Sequence, residues 1–388
     1  MKISSAILSL CILILLPSCA SKSAITPSGT QSLFNDSLFT PPSEPVDASQ
    51  VFALSPAMRK YLKVDIAKQL RDNGAQQGLF NALYATDQLK LEYDTGSTRN
   101  AADAFDARAG NCLSLVIMTA ALARELNLAA HFQGVFVEEH WSRSGDLHFS
   151  SGHVNVTIGA KPAGINVLTI KSQQHVIDFI RPDPDKRQHK WDLREETVIA
   201  MFLNNRAAEN LVRGNVNSAY WWARAAIESD PKYLAAYNTL GVIYRRAGHV
   251  AQAEYALQQV VNAEPDNTPV LANMAVVLKQ QGRLAEAEKV ETRLAQLQPN
   301  PPFHFFNLGL AAMRERRFET ARDYFKQEVN RAAYNDEFHF WLAASYFALD
   351  DAKRAKTHLQ LAIENSATRK SHDLYVAKLD IVTAKREQ

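Results

Sequence analysis

Cys112 is the residue whose type and position offer the clearest chemistry in this chain of 388 amino acids. It follows the turn Gly110-Asn111 and opens a mostly apolar stretch, Leu113–Leu128, that predicts a helix. The N-terminus of a helix carries unpaired N–H groups and a partial positive charge, which favour a thiolate over a thiol. Because a thiolate attacks carbonyl carbon, we expect acyl-transfer chemistry at this position.

Two later residues, His153 and Asp178, supply the partners that such a nucleophile needs. Each lies in a stretch of alternating apolar and polar residues, 153–158 and 175–180, and is therefore predicted on a β-strand. An imidazole accepts the thiol proton, and a carboxylate fixes the imidazole tautomer. Facing side chains on adjacent strands are about 5 Å apart, so a His–Asp hydrogen bond is feasible. We predict a Cys112–His153–Asp178 site in which the backbone N–H of Cys112 is one oxyanion donor.

Other assignments of the same residue types stay open at this point. Cys112 with His140, His148 and His153 could form a zinc site, although the spacing lacks a close pair of Cys or His ligands. We predict neither a metal nor a cofactor. His175 could contact Asp178 as a simple strand neighbour.

Four further residues near the predicted site have open roles. Asp146 is a second candidate carboxylate, and His131 is a further histidine near the site. Asn111 could donate a hydrogen bond to an oxyanion or cap the helix. Trp141, like Trp221-Trp222 later in the chain, could be exposed or packed in a core.

The first residues predict export and lipid attachment. Lys2 and the apolar stretch Ile7–Leu16 form a signal segment that is too short to span a bilayer. Leu16-Pro17-Ser18-Cys19 resembles the lipobox of bacterial lipoproteins and departs from it at Pro17. The resemblance implies cleavage after residue 18 and acylation of Cys19; an ordinary secretory signal is the alternative.

The lipobox resemblance also predicts a location and leaves one free thiol. Ala20, where an aspartate would retain the protein at the inner membrane, implies an outer-membrane anchor facing the periplasm of a Gram-negative cell. Cys11 is lost with the signal peptide and Cys19 is lipidated, so Cys112 remains. An unpaired cysteine outside the cytoplasm is a candidate reactive thiol, and a buried, unreactive cysteine is the alternative. Net charge is +2, which gives no basis for binding nucleic acid.

The next two segments are predicted as a tether and an α+β domain. Residues 19–50 are rich in Ser, Thr, Pro and Gln, which predicts a disordered tether. Residues 51–185 show helical periodicity first and strand alternation later, so helices precede a small antiparallel sheet. Predicted helices run from Pro56 to Asn73, through Leu79–Leu89 and over 101–108; predicted strands are 131–137, 153–158, 167–170 and 175–180, with a polar loop over 138–151. Residues 186–199 are predicted as a linker.

The C-terminal half repeats every 34 residues. Prolines and, twelve positions before each, alanines recur at this period: Pro231, Pro265 and Pro299; Ala219, Ala253 and Ala287, continued by Ala321 and Ala355. With Leu240-Gly241 and Tyr244, this resembles the tetratricopeptide repeat. The resemblance implies an all-α solenoid of five units over 200–369 with a capping helix, 370–388. The concave face of such a solenoid is expected to bind a peptide or a partner protein.

The residues around Cys112 and His153 resemble the transglutaminase-like cysteine-protein superfamily. The resemblance covers about residues 75–182 and lies in Gly110-Asn111-Cys112, Ala120–Leu128, Gly134-Val135 and Gly152–Val156. The family often has His-Ala-Trp where this chain has His153-Val154-Asn155. The resemblance implies a papain-like arrangement with Cys112 as nucleophile, His153 as base and Asp178 as orienting carboxylate.

Two functions follow from these predictions. One is a membrane-tethered periplasmic thiol-dependent acyl transferase or hydrolase, of peptidase, amidase or transglutaminase type. It would act on a peptide or protein presented by the repeats. The other is a catalytically silent transglutaminase-like scaffold whose repeats mediate protein–protein interaction in the envelope.

Overall fold

Helices and a four-stranded sheet form the first part of the molecule, and paired helices form the rest. The computed structural model describes residues 33–84, 89–94, 96–144, 147–160, 175–179, 189–366 and 368–384. The signal segment, the lipobox with Cys19 and the predicted strand 167–170 lie outside these residues.

The helices of the first part lie near the predicted positions, but two end early: the helix predicted through Leu89 ends at Tyr84, and the one predicted to reach Leu128 ends at Glu125. Ser55 caps the first helix, its hydroxyl accepting a hydrogen bond from the backbone N–H of Met58 at 3.2 Å, and Pro56 follows as the first helical residue. The helix predicted to reach Asn73 is broken by a π-helical turn, Tyr61–Asp65. The helices are α1 (Pro56–Lys60), α2 (Ala67–Asn73), α3 (Ala75–Tyr84), α4 (Ala101–Ala107) and α5 (Cys112–Glu125).

The four-stranded sheet is antiparallel, as predicted, with strand order β5-β4-β3-β6. A separate parallel pair, β1-β2, lies just before α5 in the chain. The predicted loop over 138–151 is wrong, because β3 and β4 pair through this segment as one long hairpin, from His140↔Ser151 to Ser144↔Leu147, with a register shift between Val135 and His140. The strands are β1 (Glu92–Tyr93), β2 (Ala109–Gly110), β3 (Leu128–Ser144), β4 (Leu147–Ala160), β5 (His175–Ile177) and β6 (His189–Leu193).

The predicted linker 186–199 is also wrong, because it contains β6 and the start of the next helix, at Glu195. β6 pairs with the edge of β3 from Phe136↔His189 to Phe132↔Leu193. The segment carries little apolar alternation, so its own sequence does not predict a strand. The pairing of β6 satisfies backbone N–H and C=O groups along the outer edge of β3. That edge exists only once β3 has joined the sheet.

Of the predicted tether 19–50, the described residues begin at Leu33, and these are ordered, contrary to the prediction. Residues 33–44, here called the strap, lie against the first two repeats. The Tyr244 hydroxyl donates to the Leu33 carbonyl at 2.8 Å, and the Tyr220 hydroxyl donates to Asp36 at 2.6 Å. Phe39 stacks on Tyr220 with ring centroids 4.0 Å apart. The strap has too few apolar residues to fold alone, but the repeats supply the surface on which Leu33 and Phe39 become buried.

Ten helices form five pairs and one more helix ends the array, as predicted. The second helices of the pairs begin at a strict 34-residue spacing, and the five period-marking alanines are all 0% exposed, which lets paired helices approach closely. The helices are α6 (Glu195–Val212), α7 (Val216–Ser229), α8 (Leu234–Arg246), α9 (Val250–Ala263), α10 (Thr268–Gln280), α11 (Leu284–Leu297), α12 (His304–Arg314), α13 (Phe318–Arg331), α14 (Asp336–Ala348), α15 (Ala352–Glu364) and α16 (Arg369–Ala384).

The described residues form two hydrophobic cores rather than one. The front core runs from Leu33 through the sheet to Ala287 of α11, and the back core runs from Phe303 to Val382 of α16. Between them, α12 begins at His304, two residues later than the spacing of Leu234, Thr268 and Asp336 requires. The delay follows from Phe303, whose φ of 64° is left-handed, so a right-handed helix begins only after it.

Among the described residues, no helix combines the length and apolar character needed to cross a bilayer.

Candidate functional site

The start of α5 is fixed by a network of hydrogen bonds around Asn111. The Asn111 side chain accepts from the backbone N–H of Ser114 at 2.9 Å and donates to the Thr98 hydroxyl at 3.0 Å. Of the two roles left open by the sequence, Asn111 therefore takes the capping role. Cys112 is the first helical residue, a free thiol that is 9% exposed. Its position places the sulfur at the positive end of the helix dipole.

His153 and Asp178, far apart in sequence, meet at the edge of the sheet. The His153 ring Nε2 and the Asp178 carboxylate Oδ1 are 2.8 Å apart. His153 lies on β4 and is 5% exposed, and Asp178 follows the last residue of β5. The Asn155 amide, on the same face of β4 as His153, donates to the other carboxylate oxygen of Asp178 at 3.5 Å.

The remaining ring nitrogen of His153 is Nδ1, and the ring also interacts with Cys112. Nδ1 is buried and makes no hydrogen bond of standard geometry within the described part of the chain. Burial lowers the pKa of His153, but the hydrogen bond with Asp178 and the hydrogen bonding and charge of Cys112 outweigh it and raise that pKa to about 9. At neutral pH the ring is therefore an imidazolium that interacts with the Asp178 carboxylate and with the Cys112 sulfur.

Tyr93 is a site residue that the sequence did not suggest. β1 pairs with β2 so that Tyr93 lies opposite Gly110, just before Cys112. Tyr93 is 45% exposed. Partial burial, followed by the charge of Cys112, raises the pKa of Tyr93, while the backbone of Cys112 lowers it. The hydroxyl is thus neutral and adjacent to the thiol. A two-residue strand leaves almost no periodicity in sequence, which is why Tyr93 was not found there.

The alternative assignments fare differently in the structure. The His175 ring packs on Phe80, with centroids 4.9 Å apart, while Asp178 bonds His153. His131 is exposed on β3. Within the described ranges, no cluster of three or more His, Cys, Asp or Glu side chains could hold a metal ion.

Some candidate side chains lie outside the structural description. Asp146 is outside the described residues, as are the side chains of His140, Trp141 and His148. Trp221 and Trp222 are described: Trp221 donates to the Thr40 carbonyl at 2.7 Å, and Trp222 is buried at 5% exposure.

The cap of α5 also connects the site to the first repeat. The backbone N–H of Thr98, whose hydroxyl accepts from Asn111, donates to Glu209 of α6 at 2.6 Å. Burial raises the pKa of Glu209, and its hydrogen bonds to Thr98 oppose that change. The Arg206 guanidinium donates one hydrogen bond to the Glu209 carboxylate at 3.3 Å and another to the Glu44 carboxylate of the strap at 2.9 Å. The start of α5, the first repeat and the strap are therefore joined by one polar network.

Comparisons with known proteins concern the repeats. A family model described as tetratricopeptide repeat matches residues 244–304. No curated protein matched the chain.

Several solved structures are similar to the repeat half. The Pseudomonas aeruginosa pilF protein is 22% identical, with 48% of this chain and 86% of that one covered and a TM-score of 0.30. A thermophilic TPR protein of Thermus thermophilus is 17% identical, with 46% of this chain and 98% of that one covered and a TM-score of 0.29. YrrB, described as a TPR protein with an unusual peptide-binding site, is 18% identical. The match covers 46% of this chain and 92% of YrrB, with a TM-score of 0.25.

The matched segment runs from the end of α8 to the start of α12 and contains the whole third helix pair. Tetratricopeptide arrays are protein-binding modules that present an extended surface to a peptide or protein partner. Residues 244–304 therefore match the tetratricopeptide repeat, and the second helices of the pairs on either side keep its 34-residue spacing.

Proposed function

We propose that the repeats hold a peptide or protein partner and that the Cys112–His153–Asp178 site acts on it by thiol-dependent acyl transfer or hydrolysis. The domain bearing the site is of the transglutaminase-like, papain-like type. The observation that carries the catalytic part is the 2.8 Å contact between His153 Nε2 and Asp178 Oδ1, on a ring whose pKa Cys112 also raises. A histidine oriented by a carboxylate beside a thiol is the arrangement that activates a cysteine nucleophile.

The proposed reaction has two halves. The Cys112 thiolate attacks the carbonyl carbon of an amide, and the resulting oxyanion is held by the Cys112 backbone N–H, which as the first helical residue has no partner within α5. The His153 imidazolium then gives a proton to the leaving amine as the C–N bond breaks, leaving a thioester on Cys112. Water or a second amine attacks the thioester and His153 takes its proton; the C–S bond breaks, and Cys112 leaves as the thiolate beside the imidazolium.

The proposed location is the periplasmic face of the outer membrane, through lipid on Cys19. The support for the anchor is the sequence Leu16–Cys19. The strap limits how far the repeats can move from the lipid anchor. Leu33 is packed on the repeats, and the chain between Cys19 and Leu33 spans at most about 50 Å when extended. The partner would therefore be an envelope peptide or protein close to the membrane surface.

A catalytically silent scaffold is the second candidate function. The match of the repeats to a protein-binding family favours it, since that match concerns the array and not the thiol. In this case Cys112 would be a small packed residue, consistent with its 9% exposure.

Iodoacetamide alkylation of Cys112 between pH 5 and 9 tests the proposal, with His153→Ala as the matched variant. Rates are compared as profiles against pH rather than as absolute values, because burial slows all of them. The proposal expects substantial alkylation at pH 6, where an ordinary thiol with a pKa of about 8.5 is mostly protonated. It also expects His153→Ala to move the profile to higher pH.

The same preparations are incubated with envelope peptides and an amine donor. Products that disappear in Cys112→Ala support the enzyme. A profile like that of a free cysteine in both proteins, together with unchanged products, would establish the silent scaffold.

A further inference from the structure

Tyr84, at the end of α3, forms two hydrogen bonds with the backbone of one residue, Asp178. Its hydroxyl donates to the Asp178 carbonyl at 3.0 Å and accepts from the Asp178 N–H at 3.0 Å. These residues are 94 positions apart in sequence. A single hydroxyl thus satisfies the donor and the acceptor of the residue whose carboxylate orients His153.

The position of Asp178 at the end of a short strand explains why this clamp matters. β5 has three residues, and its pairing with β4 runs from Ile158↔His175 to Val156↔Ile177, so Asp178 lies one residue beyond the last pair. Short edge strands fray because few ladder bonds hold their ends. The hydroxyl of Tyr84 continues the backbone hydrogen bonding past the point where the ladder stops.

The other contacts of α3 keep Tyr84 in place. The Gln76 amide, near the start of α3, donates to the Ile158 carbonyl of β4 at 3.3 Å, and Phe80 packs on His175 of β5. The Tyr84 ring lies near those of Phe80 and Phe179, at 4.8 and 6.4 Å. Burial raises the pKa of Tyr84, which keeps the hydroxyl able to donate.

We propose that Tyr84 is a positioning residue for the Cys112–His153–Asp178 site: it holds the Asp178 backbone so that the carboxylate stays on His153. This rests on the proposed function of the site. Tyr84 acts through Asp178, at the far side of the carboxylate from the thiol.

The test is the titration of the His153 ring, followed by NMR of the full chain with labelled histidine. The His153→Gln spectrum identifies the resonance among the 11 histidines. Tyr84→Phe keeps the ring contacts and removes the hydroxyl. Tyr255→Phe is the matched control, because Tyr255 is 43% exposed and Tyr84 is 44% exposed. Asp178→Asn is the reference for full loss of the carboxylate charge.

The groups that act on the His153 ring are Cys112 at the start of α5 and Asp178 beyond β5, and Tyr93 interacts with Cys112. A displaced Asp178 therefore lowers the titration midpoint. We expect a fall of about one pH unit in Tyr84→Phe, a larger fall in Asp178→Asn, and none in Tyr255→Phe. A midpoint in Tyr84→Phe that equals that of the unmodified protein would overturn the proposal.

Activity measurements separate this proposal from the proposed function. Where an amide substrate is turned over, Tyr84→Phe should lower kcat about 10-fold with little change in KM, and move the alkaline limb of the pH profile to lower pH. Turnover without any of these changes would contradict the positioning role. If no substrate is turned over but the His153 midpoint still falls in Tyr84→Phe, the clamp stands and the catalytic proposal fails.

Discussion

The front and back parts of the repeat array differ in what they pack against. Repeats one to three share one hydrophobic core with the strap and the sheet, whereas repeats four and five share theirs only with α16 among the described helices. At the boundary, α11 buries Ala287 alone, and Leu284 is 66% exposed. The front repeats are therefore part of the domain that carries Cys112, and the back repeats form a module of their own.

The histidines of the two parts also differ in the charge state that folding favours. In the front part, the folded state favours the charged form of His153. In the back part, His339 and His358 share a hydrogen bond between their Nδ1 atoms at 3.0 Å. Burial lowers the pKa of both, and the charge of His339 adds to this for His358, whose pKa falls to about 4. Alkali should therefore destabilise the front part, and acid should destabilise the back part.

The turns within the helix pairs show a third difference. Each pair has a residue with positive φ at the same place in the 34-residue period. It is glycine in the front repeats (Gly214, Gly248 and Gly282) and Arg316 or Asp350 in the back repeats. A side chain in left-handed backbone is strained, so the back turns are less favourable than the front ones.

The largest expected effect comes from truncating one aromatic residue in each core. Tyr220 and Phe325 are each 0% exposed. Tyr220→Ala and Phe325→Ala should each cost about 3–5 kcal/mol of unfolding free energy. Because the cores are separate, each variant should raise hydrogen exchange in its own part, with the other variant as its control. Faster exchange throughout the chain in both variants would mean that the two cores unfold as one unit.

Within the strap, substitution of the buried Phe39 should destabilise docking on the repeats more than substitution of an exposed residue. Phe39 is 7% exposed and stacked on Tyr220, so Phe39→Ala should destabilise the front part by about 3 kcal/mol. Ser37→Ala is the control, because Ser37 is exposed and its hydroxyl donates to Asn35 within the strap. Limited proteolysis, read by mass spectrometry, should show faster cleavage of the strap in Phe39→Ala. Equal cleavage in the two variants would rule out strong docking.

Calorimetry across pH should separate the two parts by the sign of the effect. The pKa of His153 is raised from 6.5 to about 9, so its contribution is complete below 6.5 and is lost as pH rises through 9. The pKa of His358 is lowered from 6.5 to about 4, so its contribution is present above 6.5 and is lost as pH falls through 4. We expect alkali to weaken the front transition and acid to weaken the back one.

His358→Gln should reduce the acid sensitivity of the back part. The groups around this pair are the Asp336 carboxylate, whose charge acts on His339, the Ala333 carbonyl bonded to His339, and the Tyr346 ring stacked on His358. His372→Asn on α16 is the control, since His372 is half exposed. A variant that melts at acid pH as the unmodified protein does would exclude the pair as the cause.

The smallest expected effect concerns the turn at Arg316. Arg316→Gly relieves the strain of φ 60° and should stabilise the back part by about 1 kcal/mol. The reciprocal change, Gly282→Arg, should destabilise the front part by about 1–2 kcal/mol, because open space surrounds Gly282 and backbone strain alone is added. Thermal unfolding of both variants measures the two changes in stability. Shifts of the same sign would show that side-chain contacts, and not φ, decide these turns.

The repeat array and the start of α5 were predictable because their signals are local or periodic. The buried alanines recur every 34 residues, and Ser55 and Asn111 cap helices through bonds to residues three positions on. The strap, β6 and Tyr93 were not predicted. Each is short or polar, and each is ordered by a surface that forms from residues distant in sequence.

The sequence by itself determined the period of the solenoid, the order of helices before strands and the residue types available for thiol chemistry. These depend on helical or strand spacing and on caps, which act over a few residues. Only the tertiary structure decided that His153 meets Asp178, that Tyr84 holds Asp178 from 94 residues away, and that the repeats divide into two cores. Such contacts depend on which strands and helices become neighbours, and that is set by burial over the whole chain rather than by local spacing.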